Sequence, residues 1–242
     1  MRLAAPDGSL SQSGELSTTS LPADGFAVAA RRHADMSKGR AGMIRCLMLT
    51  VVLGLAVAGA AWADVPDTAE LKPIFNGLDL SGWQTKEPQY WTVADGVLTG
   101  LNDDEKKGSM LYTDKAYGDA IFECEVRFSG EIDSGIMMRK PEVQVQIGVS
   151  RSLKRDMTCS FYVGGYPEEA QAKRAGELLK EGDWNRLRVQ AKGDTFTVWL
   201  NGEQVSAFTS EKYDEPGPIG LQIHGGLVMK VEYRDMRAVE LP

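Results

Sequence analysis

The chain has 242 residues, 43% hydrophobic and 25% charged, which is enough apolar material for a globular core. Its formal net charge of −7 argues against nucleic acid as a partner, because a phosphate-binding surface needs a basic excess. One short basic cluster, Arg151-Ser152-Leu153-Lys154-Arg155, does not reverse that balance, and an acidic chain suits a neutral or polar substrate better.

Residues 1–42 are rich in Ser, Gly, Ala and Asp and show no apolar periodicity. They read as a disordered leader, or as sequence upstream of a true start at Met43 or Met36. Residues 43–63 read as a signal peptide. Arg45 supplies a basic start, Leu47 to Ala60 an apolar run, and Ala61-Trp62-Ala63 a small-x-small cleavage site. The run is shorter than the roughly 20 residues that span a bilayer, so the segment reads as a cleaved signal rather than an anchor. Cys46 precedes the run and is not placed like a lipid-bearing cysteine. The expectation is export to the periplasm or beyond, with no membrane contact after cleavage at Asp64.

From Lys72 onward the pattern alternates with period two. Phe122, Cys124, Val126 and Phe128 alternate with Glu123, Glu125 and Arg127; Val143, Val145 and Ile147 alternate with Glu142, Gln144 and Gln146. Similar runs cover Leu187–Val189, Phe196–Leu200 and Leu227–Tyr233. Each has one apolar and one polar face, as in a two-layer sandwich of antiparallel sheets. Asp95-Gly96 and Asn201-Gly202 sit between apolar runs and predict type I′ hairpins, whose central residues both need positive φ. One helix is predicted from about Glu168 to Lys180, after Pro167, decorating a loop. Without repeats or Pro/Ser linkers, residues 64–242 read as a single all-β domain. Cys124 and Cys159 fit the inward side of their strands as small hydrophobes, and an oxidising compartment would also permit a bridge between them.

Several short elements in order resemble one family. Phe75-Asn76-Gly77 with Leu80-Ser81-Gly82-Trp83 is similar to the opening "FNGKDLSGW" of the 3-keto-disaccharide hydrolases. Trp91-Thr92-Val93 with Asp95-Gly96-Val97-Leu98 resembles the family's second hairpin, and Asp133-Ser134-Gly135-Ile136 with Arg139 its "NSGI…R" element. The Glu142 strand, Gly182-Asp183-Trp184-Asn185, Leu200-Asn201-Gly202 and Gly220-Leu221-Gln222-Ile223-His224 continue the series. The resemblance implies a concanavalin-like jelly roll whose concave sheet carries the site, and cleavage of glycosides oxidised at C3. Two departures stand out. Asp133 replaces the first asparagine of "NSGI", and Gly148 follows Ile147 where many family members carry an aspartate.

Glu142, Gln144 and Gln146, at i, i+2 and i+4, share one strand face and offer the polar partners that sugar hydroxyls need. Gln222 and His224 form a second such row, and Met137 and Arg139 a third; the resemblance makes these rows neighbours. His224 is the sole histidine after the signal segment, and histidine as a residue type exchanges protons near neutrality. Gly225-Gly226 beside it would let a ligand approach closely. A 3-keto sugar carries an acidified C2 proton, so its cleavage by elimination needs a base, an acid and stabilisation of an enolate. The candidate acid–base pair is His224 and Glu142, with Arg139 facing the enolate and Gln144, Gln146 and Gln222 holding hydroxyls. Tyr162 and Lys154, on a segment that could fold over the groove, are further substrate-binding candidates. A divalent metal could serve in place of Arg139, and the residues do not decide between them. The partner expected is a small carbohydrate. Two other readings remain open: a non-catalytic carbohydrate-binding module, and a two-carboxylate glycosidase for which Glu123 or Glu125 would have to join Glu142.

Overall fold

The computed structural model describes residues 67–242; the leader and signal segment expected over 1–63 lie outside the described residues. Among those described, strands dominate. In chain order they are β1 (Lys72–Pro73), β2 (Trp83–Thr85), β3 (Trp91–Ala94), β4 (Val97–Leu101) and β5 (Ser109–Tyr117). Next come β6 (Ala120–Phe128), β7 (Asp133–Met138), β8 (Val143–Ser150), β9 (Arg155–Asp156) and β10 (Phe161–Tyr162). The last five are β11 (Asn185–Lys192), β12 (Thr195–Leu200), β13 (Glu203–Thr209), β14 (Gly217–Ile223) and β15 (Lys230–Glu240).

They form two antiparallel sheets. The eight-stranded sheet runs β13-β12-β11-β6-β15-β4-β3 with β1 also on β15. The seven-stranded sheet runs β10-β8-β7-β14-β5-β2 with β9 on β8. The alternation read from the sequence sets the facing. Phe122, Cys124 and Val126 of β6 pack inward from one sheet, and Val143, Val145 and Ile147 of β8 pack inward from the other, in a shared core. Asn201 and Gly202 take φ of 51° and 91°, and Asp95 and Gly96 take 52° and 77°, as the two hairpins require.

The helix differs from expectation. Residues 168–180 hold a 3₁₀ turn at Glu168–Ala170 and a single α-turn, α1 (Ala175–Leu178), rather than one continuous helix. Arg174 takes the left-handed φ of 62° just before α1, which breaks the helical path. Cys124 and Cys159 are both buried and free, and burial raises both thiols above their ordinary range. Among the described residues no helix is long and apolar enough to cross a membrane.

Polar contacts cross the core, Trp91 Nε1 of β3 to the Ser109 hydroxyl of β5 at 2.8 Å among them, and another is centred on Ser134. The Ser134 hydroxyl of β7 donates to the Gln222 carbonyl of β14 at 2.6 Å, and lies 3.1 Å from the Tyr233 hydroxyl of β15 in the opposite sheet. Because the serine proton goes to a carbonyl, the tyrosine is the donor of the second bond. Ser134→Ala should lower unfolding free energy by about 1–3 kcal/mol by leaving the buried Tyr233 hydroxyl unpaired. Urea denaturation checks this, and an unchanged midpoint would refute it.

Candidate active site

The outward face of the seven-stranded sheet carries the polar rows. Asp133 pairs with Gly148 across β7 and β8, Gly135 with Gln146, and Met137 with Gln144; on the other side of β7, Gly220 of β14 pairs with Met137. Glycines make room on this face. A Cβ at Gly135 would lie 2.6 Å from Gln144 Nε2, and one at Gly220 would lie 2.6 Å from the Tyr112 ring. Both neighbours therefore lie flat across the sheet.

Gln144, Gln146 and Gln222 come together as expected. Gln144 Nε2 donates to Gln146 Oε1 at 2.8 Å and to Gln222 Oε1 at 3.3 Å. Gln146 Nε2 donates to Asp133 Oδ1 at 2.8 Å, and the Tyr166 hydroxyl donates to Gln146 Oε1 at 2.9 Å. With both its amide protons engaged, Gln144 keeps Oε1 as an acceptor, and Gln222 keeps Nε2 as a donor. Burial, and then the neighbouring Asp133 carboxylate, push the Tyr166 phenol up to about 12 against an opposing hydrogen bond from Ser150, so it remains a donor at neutral pH.

His224 follows β14 directly. Its backbone N–H donates to the Asp133 carbonyl at 3.2 Å, and its Nδ1 lies 2.6 Å from the Gly225 carbonyl. A carbonyl oxygen only accepts, so Nδ1 carries the proton and the neutral ring keeps an unprotonated Nε2. The groove divides here. A cavity of about 270 Å³ is lined by Asp133, Gln144, Gln146, Arg151, Tyr162 and Tyr166, and a larger one of about 540 Å³ by Thr85, Met110 and Tyr112; Gln222 and His224 line both. Tyr162, on β10, lines the smaller cavity with its ring 5.1 Å from that of Tyr166.

Three expected site residues lie elsewhere. Glu142 does face outward, accepting the Tyr112 hydroxyl at 2.8 Å, and this bond adds to burial in raising the Tyr112 phenol. It stands six residues along β8 from Gly148, the partner of Asp133, which is about 20 Å at 3.3–3.4 Å per residue. Glu142 and His224 are therefore no acid–base pair. Arg139 is 3% exposed, and its guanidinium donates to the Asp119 carboxylate and to the Asp214 carbonyl at 2.8 Å. Its φ of 70° ends the alternation of β7 and takes its side chain off the groove face. Lys154 lines a separate basin with Glu131 and Arg155.

The Gly225-Gly226 pair also has close neighbours within the chain. A Cβ at Gly226, whose φ is 91°, would lie 3.1 Å from Arg151 Cζ, and one at Gly225 would lie 3.2 Å from the Gly108 backbone. The glycines admit a guanidinium and a neighbouring strand end, and Gly225 also lines the 540 Å³ cavity. Asp133, Tyr166 and Arg151 are among the lining residues that sequence reasoning did not assign to the site. Asp133 shares an alternation with the outward Gly135 and Met137, which was the available signal for it. Glu123 and Glu125 lie on the outer face of the other sheet, paired with Arg186, Arg188 and Arg234, so neither supplies a second carboxylate to this groove. Trp199 is on that same outer face, beside Glu123 and Arg188. Among the described residues no cluster of three or more His, Cys, Asp and Glu side chains is placed to hold a metal ion.

An antiparallel sandwich with a polar groove across one sheet is the architecture of concanavalin-like carbohydrate-active proteins. A protein of Parabacteroides distasonis assigned as a glycosyl hydrolase shares 22% identity, over 72% of this chain and 95% of its own, with a TM-score of 0.53. Another such protein from the same organism shares 18% identity over 71% of this chain and 100% of its own, with a TM-score of 0.54. The Bacillus licheniformis beta-glucanase shares 12% identity over 70% and 96%, also at 0.54. None of the curated proteins matches the chain. The chain belongs to the 3-keto-alpha-glucoside-1,2-lyase-like domain family, which it matches over residues 70–238.

Arg139→Met should lower unfolding free energy by about 1.5–3 kcal/mol, the value of a charge-assisted hydrogen bond. Turnover by the folded variant should not change. Denaturation and a kcat measurement check this; a large loss of kcat in folded protein would return Arg139 to the site.

Proposed function

We propose that this chain is an exported enzyme that cleaves glycosides oxidised at C3, by elimination followed by addition of water. The observation that carries the reading is His224: its Nδ1–H is held by the Gly225 carbonyl, and its unprotonated Nε2 belongs to a residue lining both cavities of the groove. Such a nitrogen is a competent base when the proton to be removed is already acidified by a ketone.

The sugar ring occupies the smaller cavity, where the Gln144 acceptor and the Gln222 donor meet its hydroxyls. The leaving group extends past His224 toward Met110 and Tyr112. His224 Nε2 takes the C2 proton, and the C–H electron pair forms the enolate of the C3 ketone. When the carbonyl re-forms, C1 and C2 become doubly bonded and the C1–O bond breaks. The departing oxygen takes the proton back from the imidazolium. Water then adds across the double bond, its oxygen to C1 and its proton to C2, completing net hydrolysis. A single base suffices for this sequence; Asp133 and Glu87 also line the groove's two cavities, and the Asp133 carboxylate accepts from Gln146 and from the Arg151 backbone. Export rests on the basic start, apolar run and Ala-Trp-Ala site of residues 43–63.

A time course with 3-keto-trehalose and with trehalose tests the reading. Only the keto sugar should be cleaved. His224→Ala should lose about 10²–10⁴-fold in kcat, the usual share of a general base, while Glu142→Gln should change it little. Binding of both sugars without turnover would instead mark a carbohydrate-binding module.

A further inference from the structure

The enolate needs a positive or hydrogen-bonding partner at the C3 oxygen, and Arg139, which the family pattern suggests, is spent on Asp119 and the Asp214 carbonyl. The structure brings another guanidinium to the groove. Arg151 stands in the turn directly after β8 and lines the 270 Å³ cavity together with Asp133, Gln144, Gln222 and His224. Its place is set at both ends. The backbone N–H of Arg151 donates to Asp133 Oδ2 at 3.1 Å, and its Cζ sits where only a glycine at 226 leaves room. Gly226 is one residue from Gly225, whose carbonyl fixes the His224 tautomer. One short turn thus carries both the base and the seat of the guanidinium.

The guanidinium is also free to act. Of the other cations near the groove, Arg155 Nη2 donates to Gln171 Oε1 at 2.8 Å, Lys154 lines a basin on the far side of the Arg151 turn, and Lys86 lines the 540 Å³ cavity; Arg151 alone among them lines the 270 Å³ cavity. Among the described residues the Arg151 side chain makes no hydrogen bond or ion pair, so its five donors remain available. A planar guanidinium is weakly hydrated and suits an oxygen that gains charge during reaction. It acts there as oxyanion donors do, by stabilising charge that develops only in the transition state.

We propose that Arg151 is the catalytic residue that stabilises the C3 enolate oxygen, with Asp133 positioning it through the Arg151 backbone. This rests on the keto-glycoside reading above. In the step it assists, the C2 proton goes to His224 Nε2, and the electron pair moves onto the C3 oxygen, which takes the Arg151 hydrogen bonds. The pair then returns as the C1–O bond breaks, and no redox partner is involved.

The test uses the full chain and 3-keto-trehalose. Arg151→Ala should lower kcat about 10²–10³-fold, as loss of one oxyanion donor does elsewhere, with KM changed far less. Exchange of the C2 proton with deuterated solvent, followed by NMR, should fall in parallel. Added guanidinium ion should restore part of the kcat in Arg151→Ala but not in His224→Ala. Lys154→Ala, which removes the same charge from the same turn, should leave kcat as it is. Arg151→Ala with unchanged kcat, or with KM alone raised, overturns the role while leaving the keto-glycoside reading intact. Wild-type protein that neither cleaves the keto sugar nor exchanges its C2 proton overturns that reading and this role with it.

Discussion

The register of β7 between β8 and β14 is the constraint on which the groove depends. Side chains alternate along a strand, so a slip of one residue would turn Asp133, Gly135 and Met137 into the core and expose Ser134 and Ile136. Ser134 guards against that slip. Its hydroxyl is buried, serves the Gln222 carbonyl and accepts from Tyr233 in the opposite sheet, and would lose both partners on moving. The same strand carries the glycine that lets Gln144 lie flat, so one six-residue segment sets the floor of the groove, one of its walls and its alignment with His224.

Charge is divided between the two sheets in a way that narrows the chemistry. The outer face of the eight-stranded sheet is a lattice of opposite charges. Glu123, 1% exposed, holds Arg186 at 2.7 Å and Arg188 at 2.6 Å, and Trp184 is flanked by Arg127 and Arg234 at 4.4 and 4.1 Å. Those carboxylates neutralise guanidiniums and are not available for proton transfer. The groove face instead has amides, phenols, a histidine, Arg151 and the Asp133 carboxylate, with Lys86 and Glu87 at its wider end. Amides bind hydroxyls but do not ionise, and the Asp133 carboxylate is taken up by Gln146 and the Arg151 backbone.

Much of this was legible in the sequence because period-two alternation and Asn-Gly or Asp-Gly turns act locally. The facing of Gln144, Gln146, Gln222 and His224 follows from neighbours one residue away. What lay beyond reading was whatever depended on distant partners or on a break in the pattern. Arg139 falls on the groove face by counting from Met137, yet its left-handed φ and the Asp119 carboxylate take it away, and neither is visible in the strand itself. Glu142 was assigned the right face and the wrong distance, since alternation reports the side of a strand but not the position along it. The 168–180 segment carried a helix start, with Pro167 and two glutamates, but no apolar stripe to sustain one beyond a turn.

The two departures from the family pattern become one feature once the register is known. Asp133 stands where the pattern has asparagine, and Gly148 stands where many members have aspartate; in this chain the two residues are direct cross-strand partners. Gly148 has a φ of 86°, and a Cβ there would lie 2.4 Å from the Ile132 carbonyl oxygen, so a side chain has no room at that position. The carboxylate comes instead from the facing strand. At 5% exposure it accepts from Gln146 through one oxygen and from the Arg151 backbone through the other. In this chain a negative charge thus lies beneath the groove on β7. An aspartate at 148 facing Asp133 would set two like charges directly opposite each other, which is destabilising, and a glycine at 148 facing an asparagine would leave the amide row with no charged anchor.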